Sequence, residues 1–129
     1  MFAIRFGMIC TCVFRNALIA AFCVLFLGAE AQAHSKLLTT EPADGAVSVA
    51  SPSEITMAFN KPLRLVQMSV TGPSGDMQML DLGDQIAVLS DNFSIAVPEL
   101  SAGDWSVSWS ALGGDGHAMR GSFTFHIQP

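Results

Sequence analysis

Gly103–Asp104–Trp105–Ser106–Val107–Ser108–Trp109–Ser110 is the stretch that decides the fold class. Every second residue is large and apolar, and each residue between is small and polar. Successive side chains of a strand point to opposite faces, so this pattern half-buries a strand, with Trp105, Val107 and Trp109 inward and the serines outward. Ser122–Phe123–Thr124–Phe125–His126–Ile127 repeats the pattern with Phe123, Phe125 and Ile127 inward. Working outward, short runs rich in Val, Ile, Phe, Thr and Met recur near Lys36–Thr40, Glu54–Phe59, Leu65–Thr71, Met77–Leu82, Gln85–Leu89 and Asn92–Val97. Pro42–Ala43–Asp44–Gly45 and Gly72–Pro73–Ser74–Gly75–Asp76 hold turn formers, and Leu82–Gly83–Asp84–Gln85 reads as a hairpin tip. Many short strands with no helical periodicity predict an all-β chain, a Greek-key β-sandwich or barrel.

Residues 1–33 are of a different kind. Arg5 and Arg15 precede the unbroken apolar run Ala17–Leu27, and Ala31–Gln32–Ala33 supplies the small-x-small pattern of a cleavage site. The run is shorter than the roughly 20 residues a spanning helix needs. It predicts a secretory signal peptide over 1–33 and a mature, soluble domain over 34–129 beginning at His34. Cys10, Cys12 and Cys23 all lie in the leader, so residues 34–129 can form no disulfide. Lys36, Lys61, Arg64 and Arg120 against ten acids give those residues a net charge of −6. That sign disfavours nucleic acid and anionic lipid and attracts cations.

Residues 34–129 hold no cysteine, no tyrosine, no phosphate-binding glycine loop and no nucleophile elbow. They hold three histidines, His34, His117 and His126. Cleavage after Ala33 gives His34 a free α-amine beside its ring Nδ1, and the pair can chelate one metal in a six-membered ring. An α-amine of pKa ~8 yields its proton to a metal near neutral pH. A further imidazole would complete an N₃ set, which suits the tetragonal preference of copper(II) better than the tetrahedral preference of zinc. Gly113–Gly114–Asp115–Gly116–His117 places an acid and an imidazole two apart among glycines, free of packing duty. His126 alternates outward, and Trp105 and Trp109 are expected in the core. Arg120 is a candidate to pair with an acid or to orient Asp115.

Taken together, His34–Ser35–Lys36–Leu37, Glu41–Pro42–Ala43–Asp44–Gly45, Ile55–Thr56–Met57–Ala58–Phe59, Gly103–Trp109, Asp115–Gly116–His117 and Gly121–Phe125 resemble the CopC family of periplasmic copper-binding proteins. The resemblance covers nearly all of 34–129. It implies a cupredoxin-like or immunoglobulin-like fold and one copper(II) ion per chain in a histidine brace. By position, His34 would give its amine and ring nitrogen, His117 the third nitrogen, and Asp115 an oxygen at or near the axial position. It also implies copper carriage or buffering in the periplasm and an inner-membrane partner resembling CopD; a monomer is the default expectation for a small, acidic carrier.

Two departures bear on this. Some family members hold copper(I) in a methionine-rich loop with a histidine, whereas here Met68, Met77 and Met79 have no nearby histidine in sequence. A copper(II)-only protein is therefore expected. Ala118 stands where the family often has proline. Two competing readings are a histidine-brace monooxygenase, which the lack of tyrosine and the presence of Asp115 disfavour, and a metal-free immunoglobulin-like interaction domain.

Overall fold

In a computed structural model of the chain, residues 35–86 and 88–129 are described. The expected signal peptide and His34 lie outside them. Seven strands follow in order: β1 (Leu37–Glu41), β2 (Ala46–Ser48), β3 (Glu54–Thr71), β4 (Met77–Met79), β5 (Leu89–Ala96), β6 (Gly103–Gly113) and β7 (Ala118–Ile127). The one helical segment among the described residues is a single 3-10 turn, Gly83–Gln85. The described residues are all-β, as the alternation predicts.

The strand that organises the sheet is β3. Its first part, Glu54–Ala58, pairs with β1 on one side and β5 on the other, all antiparallel. Its second part, Leu63–Thr71, pairs with β6, and Ser69–Thr71 also pair with β4. Between the two, the register shifts over Ala58–Leu63. Phe59 touches Trp109 edge-to-face with ring centroids 5.2 Å apart. Trp109 pairs with Met68, nine residues beyond Phe59. Nine residues of straight strand would span about 30 Å, so β3 must arch over at Asn60–Pro62 and lay its halves face to face. One curled sheet thereby becomes two facing layers. The order β1-β3-β6-β7-β2 is completed by a parallel pair of β2 with the end of β7.

The core fills the space between the layers. Ile55, Met57 and Phe59 from the first half of β3 join Phe93 and Ile95 from β5. They face Leu63, Leu65, Met68 and Val70, with Trp105, Val107, Trp109, Phe123, Phe125 and Ile127, all buried in one cluster. Each side chain expected inward on β6 and β7 is inward.

Three expectations need correcting. Glu54–Phe59 and Leu65–Thr71 are two parts of one strand, because Leu63 continues the apolar alternation across the polar arch. The segment expected as a strand over Gln85–Leu89 is instead the 3-10 turn and a loop, with strand only from Leu89. There Asp81 Oδ1 accepts the Gly83 N–H (2.9 Å), an Asx turn that competes with strand geometry. The Gln85 side chain donates to the Ser94 carbonyl (2.6 Å) and accepts its N–H (3.1 Å). That amide does for the free edge of β5 what a neighbouring strand would do. The strand expected over Met77–Leu82 stops at Met79, where Leu80 and Leu82 leave the edge to enter the core.

Candidate metal centre

The β6–β7 hairpin carries Asp115 and His117 at its tip. Its ladder runs from Gly103↔Ile127 to Leu112↔Ala118. It closes with the Gly113 N–H donating to the His117 carbonyl (2.8 Å) and the Gly116 N–H donating to the Gly113 carbonyl (2.9 Å). This is a three-residue loop, a turn through Gly114 and Asp115 followed by a left-handed residue. Gly116 supplies that conformation at φ 84°, which a β-carbon would strain. Gly113 is needed for space, since a β-carbon there would lie 2.8 Å from Asp115 Oδ1.

The turn locks the two candidate ligands together. Asp115 Oδ1 accepts the His117 backbone N–H (3.1 Å), and Oδ2 lies 2.7 Å from His117 Nδ1. With Asp115 ionised, the short contact puts the ring proton on Nδ1 and leaves Nε2 as a bare acceptor. The His117 side chain is 84 % exposed, so that nitrogen is open to a solute. The hydrogen bond from the His117 ring, then the one from its backbone N–H, hold the Asp115 carboxyl below its ordinary pKa. A pKa lowered by folding means the turn gains order from this carboxylate above the unfolded pKa and loses it as pH falls through the folded one. Both groups are solvent-exposed, so the effect is local. In an acid titration of the metal-free protein, the His117 amide resonance should hold its position to a lower pH than an ordinary aspartate would allow. It should then move while the core amides stay put.

The arch of β3 brings the start of β1 to the same end of the molecule. Asn60 Oδ1 accepts the Lys36 N–H (2.6 Å), and the Asn60 N–H donates to the Lys36 carbonyl (3.0 Å). Three residues on, Leu63 pairs with Gly113, and a β-carbon on Gly114 would lie 3.8 Å from the Pro62 carbonyl oxygen. Asn60 to Leu63 therefore touch the beginning of the first strand on one side and the acid–imidazole turn on the other. Sequence reading missed the Asn60 latch. Its signal was present in Asn60–Lys61–Pro62, a turn-forming triplet directly after an inward phenylalanine.

Among the described residues, no group of three or more His, Cys, Asp or Glu side chains could hold a metal. Asp115 and His117 thus stand as a pair, with no third such side chain grouped with them among the described residues. The remaining singled-out residues lie elsewhere. His126 faces outward at the far end of the same hairpin, where its Nδ1 meets Asp104 Oδ1 (2.8 Å). Arg120 does not orient Asp115, whose two oxygens are occupied by His117. It sits on β7 opposite Ser110 and lines a shallow depression with Gln67, Ser69 and Ser108. Met68 is buried in the core, whereas Met77 and Met79 are exposed on β4 beside Thr71 and Ser69. Met77 and Met79, two apart on β4, share its exposed face, while Met68 is turned into the core.

The described residues form a small arched β-sandwich that presents an exposed carboxylate–imidazole pair at one end. Residues 37–128 match the CopC domain model, and the chain belongs to the CopC family. The "Copper resistance protein C" of Pseudomonas syringae pv. tomato is 29% identical over 128 residues, covering 88% of this chain and 97% of the relative. The protein of the same name from Escherichia coli is 26% identical over 126 residues, covering 90% and 98%. The fold is shared with the crystal structure of CopC from Methylosinus trichosporium OB3b, at a TM-score of 0.62 and 22% identity over 74% of this chain and 95% of that one. It is shared too with PcoC, described as a methionine-rich copper resistance protein from Escherichia coli, at a TM-score of 0.54 and 24% identity over 74% and 100%.

Proposed function

We propose that the chain is exported, loses residues 1–33, and binds one copper(II) ion at the arch end of the sandwich as a periplasmic carrier or buffer of copper. The family bears the copper assignment, and its curated relatives are named for copper resistance. The observation that carries the site is the exposed Asp115–His117 pair, held in a Gly-flanked turn at the end where β1 begins. A half-site of one imidazole and one carboxylate calls for further nitrogen donors. Residue 34 stands two peptide units before Lys36, a span of at most ~7 Å, and Lys36 is latched to Asn60 at that end.

In this reading the His34 α-amine and Nδ1 supply two nitrogens and His117 Nε2 the third. In the metal-free turn Asp115 keeps the His117 ring in the tautomer that leaves Nε2 free, and to approach the metal near the axial position its carboxylate would let go of Nδ1. Three nitrogens and a distant oxygen form a tetragonal set that copper(II) prefers over zinc. The protein donors nearly fill that set, so the protein carries its copper and catalyses nothing. A monomer that passes copper to an inner-membrane partner resembling CopD completes the proposal.

The test is a copper(II) titration followed by EPR. One equivalent should give a tetragonal signal with nitrogen hyperfine structure, and His117→Ala should change the coupling pattern and weaken binding by about 100-fold, ~2.7 kcal/mol. Equal uptake by the native protein and His117→Ala would remove the turn from the site.

A further inference from the structure

The latch at Asn60 departs from an ordinary strand pair in one atom. Facing residues of a regular antiparallel ladder exchange backbone N–H and carbonyl groups. Lys36 and Asn60, one step beyond the Leu37↔Phe59 pair, keep half of that exchange, the Asn60 N–H donating to the Lys36 carbonyl (3.0 Å). For the other half, the Lys36 N–H donates to Oδ1 of the Asn60 side chain (2.6 Å). The chain turns at Asn60 into the arch, and the side-chain amide stands in for the carbonyl that a straight strand would present.

That one bond decides how much of the chain ahead of β1 is held. The Lys36 N–H lies in the peptide plane of Ser35 and Lys36, so its bond to Oδ1 ties that plane to the arch. Between this plane and an α-amine on residue 34 stand only the ψ and φ of Ser35 and the ψ of residue 34. Without the Oδ1 acceptor, the first plane held is the next one, of Lys36 and Leu37, through the Lys36 carbonyl. The φ and ψ of Lys36 are then free as well. The other flank of the arch is untouched by the change, for Leu63 pairs with Gly113 and the Pro62 carbonyl faces Gly114 whatever the side chain at residue 60.

We propose that Asn60 is a positioning residue for the copper site: its side chain orders residues 35 and 36 before the metal arrives, so that less of the chain has to be ordered on binding. The proposal rests on the reading of His34 as a ligand. Asn60 itself donates nothing to the metal; it acts through the Lys36 N–H. Fixing the backbone of one residue costs entropy equivalent to about a tenfold change in affinity. The latch is exposed to water, which competes for both its groups and weakens it. An effect of about fivefold is therefore expected, of the kind that ordering a loop ahead of its ligand produces.

The test is a copper(II) competition titration on a protein prepared to begin at His34, on the same protein with one alanine ahead of that residue, and on Asn60→Leu in each form. Asn60→Leu keeps the bulk of the side chain and removes the acceptor. In the protein that begins at His34 it should weaken binding about fivefold and leave the EPR parameters unchanged, since no donor is altered. In the extended protein it should change affinity by less than about twofold, because order ahead of β1 no longer serves an amine. Asn60→Asp retains the acceptor oxygen and should bind within about twofold of the native protein, with the native EPR spectrum. Without metal, the Lys36 amide should lose protection from hydrogen exchange in Asn60→Leu while the Gly113 amide keeps its own. Should Asn60→Leu misfold, Asn60→Ala lacks the same acceptor and carries the same expectations. Native affinity in Asn60→Leu, in a protein that the alanine extension does weaken, would overturn the proposal and leave His34 a ligand. An equal loss in both forms, or no recovery in Asn60→Asp, would overturn it too. If the extension costs no affinity, the reading of His34 falls first and takes the positioning role with it.

Discussion

One alanine added ahead of His34 in a protein prepared to begin at that residue is expected to weaken copper(II) binding by about 100-fold or more. The reason lies in what a peptide bond does to nitrogen. A terminal α-amine is a base with pKa ~8 and binds a metal once its proton leaves. The same atom in an amide has given its lone pair to the carbonyl and is planar. The insertion removes one of three proposed nitrogens and breaks the chelate that pairs it with Nδ1, yet leaves every side chain in place. A hundredfold loss is ~2.7 kcal/mol. The effect should appear in stability too. At free copper of 100 Kd, a ligand that binds only the native state stabilises it by ~2.7 kcal/mol. With Kd raised a hundredfold at the same copper, that gain falls to ~0.4 kcal/mol. Competition against a chromophoric chelator measures the first quantity and thermal melts at fixed copper the second. If the extended protein binds as tightly as the native one, residue 34 does not ligate through its amine, and the half-site at Asp115 and His117 is completed by something else.

The fold was legible where two sheet faces differ in polarity and unreadable where the chain changes direction. In β6 and β7 the tryptophans and phenylalanines alternate with serines and threonines, so period and face follow together. The arch of β3 was not legible. Asn60–Lys61–Pro62 looks like a break between strands, and only the Phe59–Trp109 contact reveals that both sides belong to one strand folded over the core. Gln85 was misread for a related reason. Its role as a stand-in for a strand edge depends on Ser94, nine residues away, and no local pattern encodes that. The three residues of β2 carry too little pattern to be read at all. Their strand character comes from pairing with β7.

At the site, the glycines around Asp115 and His117 showed that these side chains were free of the core. The spacing did not show that they would bond each other, because the 2.7 Å contact depends on the left-handed Gly116 turning the chain back. The convergence of the turn with the start of β1 was equally hidden, since it runs through Asn60. A residue type can advertise a ligand, but the geometry that gathers ligands is made by parts of the chain with no ligand chemistry.

Gly121→Ala should be strongly destabilising, although it adds only one methyl group. Gly121 pairs with Trp109 across the β6–β7 ladder, and the indole lies flat over it. A β-carbon there would meet Trp109 Cζ2 at 2.5 Å, Cε2 at 2.7 Å and Nε1 at 2.9 Å. The ring is hemmed in, for it packs edge-to-face with Phe59, which in turn packs against Phe93. Overpacking of this kind costs about 1–3 kcal/mol, and in a domain of this size each kcal/mol lowers Tm by roughly 4–8 °C. A double-mutant cycle isolates the cause. Trp109→Phe removes the atoms that clash, and with them an indole N–H that is buried without a hydrogen-bond partner. Gly121→Ala should therefore cost much less in the Trp109→Phe background, with a coupling of about 0.5–3 kcal/mol. Additive losses would mean that the methyl strains the strand itself and not the ring. Copper should still raise Tm in both single variants, because neither touches a proposed donor. Were Gly121→Ala to abolish that rise as well, the stack from Gly121 through Trp109 and Phe59 to the Asn60 latch would be what holds the start of β1 against the acid–imidazole turn.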